Sequence, residues 1–283
     1  MTPAVARPTT LVVGFDGGEE DRDVAEFAVA VALALGANVE LVRSTDLASA
    51  DAPADGPSRV VHAAMALRVA ERAHIAESEL ARLRTRLMAR GSGRLEVRAR
   101  LIEGRPHEAL CAAAEAPGCW IVVGARHGKT VLAHTVDQVL RRWTRPVLVV
   151  PDGCAWGATG TVLAGIDAGE LDAVVLKIAE SVAARLSRRM GVVHVRSSSN
   201  ESTMLRVTDH VREIAPSVSA SATLSVMRVD GSIAATLAEH ARRVNACLLV
   251  VGTHGRRGVA RWVLGSTAEA LAHSSTTPLL VVR

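Results

Sequence analysis

The sequence predicts an α/β protein of two tandem, doubly wound, five-stranded parallel sheets. Three observations carry this reading. Short Val/Leu/Ile runs are continuous rather than alternating, which marks strands buried on both faces. Apolar helical segments separate these runs, as parallel neighbours require. The whole pattern also occurs twice: Leu11-Val12-Val13-Gly14-Phe15-Asp16-Gly17-Gly18 returns as Val162-Leu163-Ala164-Gly165-Ile166-Asp167-Ala168-Gly169, and two homologous halves explain it most economically. With 283 residues the chain suffices for about two domains. They are expected at 1–151 and 160–283, joined by a linker at 152–159.

In the first half, Leu11 to Phe15 reads as a buried strand ending in an acidic glycine turn. A helix over about 21–35 leads through Gly36 into a strand from Val39 to Ser44. The next helix is long, because Ala76, Leu80, Leu83 and Leu87 fall on one face. Strands follow at Glu96 to Leu101, Cys119 to Gly124 and Pro146 to Val150. In the second half a helix over about 171–189 leads through Gly191 into Val192 to Ser197. Thr223 to Met227, Cys247 to Gly252 and Pro278 to Val282 complete the set. Gly36 and Gly191 are read as left-handed C-caps. The last strand of each half is short and apolar, and each is expected at a sheet edge.

Composition excludes several classes of function. With 49% hydrophobic and 22% charged residues the chain reads as globular. Two Phe, four Trp and no Tyr argue against a nucleic-acid reader built on stacked bases. The formal charge is only +4, and the run Arg82, Arg84, Arg86, Arg90, Arg94, Arg98, Arg100 is interleaved with Glu77, Glu79, Glu96 and Glu103, a solvated face. The longest apolar stretch, Phe27 to Ala37, falls well short of the roughly 20 residues of a membrane span, and no secretory apolar segment opens the chain. The expected compartment is the cytoplasm, with no membrane partner. Cys111, Cys119, Cys154 and Cys247 make neither CxxC nor zinc spacing and are expected to be free thiols.

After the fourth strand of the second half comes Gly252-Thr253-His254-Gly255, and further on Gly265-Ser266-Thr267-Ala268-Glu269. Two glycines three apart let backbone N–H groups converge as an anion nest. Ser266 to Glu269 reads as a capping box at a helix start, where unpaired N–H groups and the helix dipole attract phosphate. Arg256, Arg257 and Arg261 add cations to the intervening loop.

The pattern Gly252-x2-Gly255-x9-Gly265-Ser266, with Asp167 ending the first strand and Val195 ending the second, resembles the nucleotide-binding pattern of the universal stress protein family. The resemblance covers both halves, so the chain looks like a tandem universal stress protein whose second half belongs to the ATP-binding branch. It implies strand order 3-2-1-4-5 and ATP, alone or with Mg, as the ligand. Adenine would sit near Asp167, Val195 and Val251, and the phosphates on Gly252, His254, Gly255, Gly265, Ser266 and Thr267. It also implies that the last strands pair. In a tandem chain they would satisfy one another as an intrachain pseudo-dimer related by an approximate two-fold, with a homodimer of whole chains as a further step.

The first-half copy, Gly124-Ala125-Arg126-His127-Gly128-Lys129-Thr130, departs from this pattern. It has one residue too many between its glycines and no third glycine. Thr135-x-x-Gln138 is expected to cap the following helix, so the helix start survives while the phosphate nest does not. Gly128-Lys129-Thr130 is no P-loop, since the first glycine of that motif would fall at Val123. Glu19, Glu20, Asp21 and Asp23 crowd the opening with negative charge.

No Ser-His-Asp, Cys-His or HExxH arrangement is readable, and phosphoryl transfer needs a metal clamp and a positioned base. The expected protein is therefore a nucleotide-binding regulator of the stress response, with an unspecified regulatory partner and without efficient turnover. A slow ATPase or phosphotransferase, and a partner-binding protein with a structural nucleotide, are the alternatives.

Overall fold

The computed structural model describes residues 8–45, 59–125, 130–154, 159–196, 201–229, 231–253 and 264–283. The first half runs β1 (Thr10–Gly14), α1 (Glu19–Leu35), β2 (Asn38–Thr45), α2 (Arg59–Gly91), β3 (Val97–Glu103), α3 (Pro106–Ala113), β4 (Cys119–Ala125), α4 (Thr130–Arg142) and β5 (Val147–Pro151). The second runs β6 (Thr161–Ile166), α5 (Asp172–Arg185), β7 (Met190–Arg196), α6 (Glu201–Ile214), α7 (Pro216–Ser221), β8 (Thr223–Arg228), α8 (Ile233–Arg243), β9 (Ala246–Gly252), α9 (Ser266–Ser274) and β10 (Leu279–Val282). Among the described residues no helix is long and apolar enough to cross a membrane.

The strands form one sheet in the order β3-β2-β1-β4-β5-β10-β9-β6-β7-β8. Each half therefore has the order 3-2-1-4-5, and the two sheets are joined edge to edge. Pairing is parallel within each half and antiparallel at the seam, where Leu279, Leu280 and Val281 face Val149, Leu148 and Val147. This seam removes the two unpaired edges that the apolar last strands would otherwise present. Side chains alternate across the sheet, Leu11 and Val13 to one face and Val12 to the other. Helices α1, α2, α5 and α6 cover the first face, and α3, α4, α8 and α9 the second. Both apolar layers run through the seam, one by way of Leu148 and Leu280 and the other by way of Val147 and Val281.

The local signals fared unevenly. Gly36 caps α1 at φ 66, and Ala76, Leu80, Leu83 and Leu87 of α2 are all buried. Gly191 is not a C-cap. Helix α5 stops at Arg185, Ser187 takes the left-handed position at φ 51, and Gly191 lies within β7. There a Cβ would stand 3.1 Å from Leu163 Cδ1, so close strand packing favours glycine. The registers also set the correspondence of the halves: Gly14 pairs with Val42 and Gly165 with Val193, which makes Ser44 the counterpart of Val195.

A hydrogen bond and an ion pair join α4 and α9 over the seam: His273 Nε2 lies 2.8 Å from Asp137 Oδ1, and Arg141 binds Glu269. All four side chains are partly exposed. Such pairs contribute little in high dielectric, so Asp137→Ala/Arg141→Ala is expected to lower unfolding free energy by about 1 kcal/mol or less. Urea titration checks this. A loss of several kcal/mol would move the seam's stability from its strands to this helix pair.

Candidate functional site

In an open α/β sheet a ligand crevice forms beyond the carboxyl ends of the strands where the order reverses. In the second half that point lies between β6 and β9. Ile166 pairs with His194 and Gly165 with Val251, so Asp167, Val195, Val251 and Gly252 arrive together at the carboxyl ends of β6, β7 and β9. Val195 and Val251 are buried, whereas Asp167 and Gly252 are half-buried.

The next turn of chain is anchored twice. Thr253 donates its N–H to Val282 O at 2.9 Å, and its carbonyl accepts the Gly265 N–H at 2.6 Å. The two ends of the loop are thereby held together, and the start of α9 is pinned beside the end of β9. His254 and Gly255, with Arg256, Arg257 and Arg261, lie outside the described residues.

Gly265, not Ser266, is the N-cap of α9, and as a glycine it brings no capping side chain. Ser266 to Glu269 therefore does not close as a capping box. The bond to Thr253 fixes Gly265 in the cap position, and Glu269 is held by Arg141 instead. The consequence is an N-terminus whose orphan N–H groups receive no bond from an N-cap side chain, with Ser266 exposed and Thr267 half-buried beside them. Gly265 sits at φ −66 and ψ 142, so its conformation does not require glycine. Gly252 has a packing reason of its own, since a Cβ there would meet Leu171 Cβ and Cδ1 at 3.1 Å.

Sequence reading missed the residue that shapes the Asp167 turn. Asp172, at the start of α5, is 2% exposed. Its Oδ1 accepts the Asp167 N–H at 3.3 Å, and its Oδ2 lies 3.0 Å from His210 Nε2. The first half repeats the device, with the Asp16 N–H donating to Asp21 Oδ2 at 2.8 Å. Asp21 is likewise buried, so it walls the cleft rather than crowding its opening. Between the two acids of the second half, Ala168 adopts φ 62, a left-handed conformation uncommon outside glycine.

Burial pushes the Asp172 carboxyl above the usual carboxylate range, against the opposing pull of the Asp167 N–H and His210. A raised native pKa means the folded state holds the proton more tightly than the unfolded state. That stabilisation is complete at pH below the unfolded pKa and is lost as pH rises through the native one. Asp172→Asn keeps an acceptor for Asp167 and is expected to flatten this fall. Urea midpoints across the acidic range test it, and a wild-type curve that instead climbs through that window would reverse the sign.

The first half differs where the loop differs. Only residues 126–129, outside the described residues together with Lys129 and Arg126, separate β4 from α4, whereas residues 253–265 separate β9 from α9. Thr135 does not cap α4, which begins at Thr130. The chain missing from the loop is taken up by extra helix, because a short connection lets α4 start directly after the strand. A cavity of about 150 Å³ lies beyond β1, β2 and β4, with Thr135 and Val136 on its α4 side. On the opposite face of β2 Arg43 pairs with Glu79 of α2 beside the Gly17 turn.

The four cysteines are free, and burial raises each thiol above its usual range, which opposes a thiolate nucleophile. Among the described residues no three His, Cys, Asp or Glu side chains gather as a metal set.

The family model described as the universal stress protein family matches residues 8–151 and 159–283. A universal stress protein from Archaeoglobus fulgidus DSM 4304 superposes with a TM-score of 0.74 at 18% identity, covering 99% of this chain and 98% of its own. One described as putative, from Pseudomonas aeruginosa UCBPP-PA14, gives 0.64 at 17% identity over 99% and 94%. The cytoplasmic domain of a prokaryotic cation chloride cotransporter gives 0.51 at 10% identity over 97% and 95%. At these identities the solved structures speak for the fold alone.

Proposed function

The chain belongs to the universal stress protein family, and from that premise we propose that its second half binds an adenine nucleotide, ATP, as a regulatory ligand. The observation that carries this reading is the Thr253–Gly265 hydrogen bond, which sets an α9 N-terminus with a glycine N-cap, and so no capping side chain of its own, beside the end of β9. Orphan N–H groups and the positive helix end there suit an anion. The described residues support each part of the ligand. Asp167, Val195 and Val251 offer one acidic and two apolar surfaces for a base and ribose, and Gly252, Gly265, Ser266 and Thr267 offer backbone and hydroxyl donors for phosphates. On this reading His254 and Gly255 complete the phosphate contacts, and the ligand binds alone or with Mg.

The nucleotide acts through its contacts with the chain between Thr253 and Gly265, and so changes the surface a partner meets. Mass spectrometry of ligand released from denatured purified protein, followed by calorimetric titration with ATP, tests the reading. Adenine nucleotide is the expected finding. A chain that carries none and shows no heat with ATP at millimolar concentration would remove it. Phosphate release measured beside a Gly265→Val control separates the regulator from a slow ATPase, and no release above that control is expected.

A further inference from the structure

The outer strand of the second half, β8, comes last in the sheet order and has no strand beyond it among the described residues. The Val229 N–H donates to Arg196 O of β7 at 2.7 Å. Backbone groups alternate sides along a strand, so Leu224, Val226 and Arg228 turn their N–H and C=O groups away from β7. An edge of this kind is a template for another strand. From Thr223 to Met227 it carries no charge, and Leu224 to Met227 are half-buried.

The opposite edge of the sheet is blunted. On β3, Arg98 pairs with Glu96 and Arg100 with Glu40. A two-fold antiparallel pairing of β3 centred on Arg98, Ala99 or Arg100 would set guanidinium against guanidinium, which destabilises. Strand β8 is self-complementary instead. Centred on Ser225, the same two-fold sets Leu224 against Val226, Thr223 against Met227 and Arg228 against Ala222 of the copy, with no like charges opposed. Leu224 and Val226 belong to the apolar layer that crosses the seam at Leu148 and Leu280, and Met227 to the layer that crosses at Val147 and Val281, so both layers run on into the copy. Helix α6 packs on β8 and carries the exposed Met204 and Leu205, apolar surface for the same contact.

From this we propose that β8 pairs with β8 of a second copy of this chain, antiparallel about a two-fold at Ser225, in a dimer whose outer edges are the two charged β3 strands. An isologous contact uses both β8 edges, so growth stops at two. The contact needs no nucleotide.

Sedimentation equilibrium of the full chain across a concentration series, without nucleotide, reads the assembly. The mass is expected to rise from one chain to two within the micromolar range and to stop there. Ser225→Arg opposes two guanidinium groups at the two-fold and keeps the backbone bonds to β7, so it is expected to raise the dimer dissociation constant at least about tenfold. Ser225→Cys places two thiols across a non-hydrogen-bonded pair, where Cα atoms stand about 4.5 Å apart, within disulfide reach. Oxidation of that variant with diamide is expected to give a covalent dimer on a non-reducing gel that the unsubstituted chain, with its four cysteines, does not give. Circular dichroism establishes that both variants fold, and should Ser225→Arg fail to fold, Ser225→Cys decides. A chain that stays monomeric throughout, assembly beyond two, a dimer equally tight in folded Ser225→Arg, or no cross-link beyond that of the unsubstituted chain would each overturn the proposal.

Discussion

Gly265→Val is expected to weaken ATP binding by about tenfold to a hundredfold, or roughly 1–3 kcal/mol. The effect does not come from backbone strain, because φ −66 and ψ 142 are open to any residue. Nor need the anchor break, since valine keeps the N–H that donates to Thr253 O. What changes is the space in front of α9, where a Cβ and two methyls would stand between a phosphate and the N–H groups of Ser266 and Thr267. Losing glycine as N-cap costs α9 up to about 1 kcal/mol, and Gly265→Ala shares much of that cost while adding only a methyl. The valine variant should therefore bind ATP more weakly than the alanine variant at similar stability. Calorimetry with both, alongside urea unfolding, reads the difference. Unchanged affinity in a folded Gly265→Val chain would take the phosphates away from α9. Gly252 is a poorer probe, because a side chain there collides with Leu171 before it meets any ligand.

The strands were legible because burial on both faces writes a continuous apolar run, and the repeat was legible because Asp16 and Asp167 end the same kind of strand. What the sequence misstated were helix ends. Ser266-x-x-Glu269 and Thr135-x-x-Gln138 both satisfy a capping pattern, yet the hydrogen bond to Thr253 moves one cap to Gly265, and the short connection after β4 moves the other helix start to Thr130. Both displacements arise from tertiary constraints that no local pattern contains. Asp21 and Asp172 were missed for a different reason. Each follows its strand-end aspartate by five residues, so overlaying the halves would have found the pair, but Asp21 was read as one of four carboxylates at the opening, and Asp172, a single acid in a first helical turn, reads as favourable dipole chemistry. The burial of each, and its bond to the preceding turn, are visible only once α1 and α5 are packed on the sheet. Of the candidate site, Asp167, Val195, Val251 and Gly252 were named through the family resemblance, and the registers bring them together at the carboxyl ends of β6, β7 and β9.

A titration of the full chain with ATP is expected to give one nucleotide per chain, held by the second half. The basis is the difference between two connections. From β9 the chain has residues 253–265 in which to turn back and present α9 end-on, whereas from β4 it has only 126–129 before α4 begins. Thr135 and Val136 then lie against the first-half cavity, and the acidic first turn of α1 opposes a polyphosphate there. The whole chain is the proper specimen, because cutting after residue 150 would strip β5 of its partner β10 and expose a flat apolar edge. In the Gly265→Val chain no saturable ATP binding should survive in the micromolar range. Two equivalent ATP sites per chain would overturn this asymmetry and bring Arg126 and Lys129 in as phosphate ligands, leaving the ten-stranded sheet and its seam as they are.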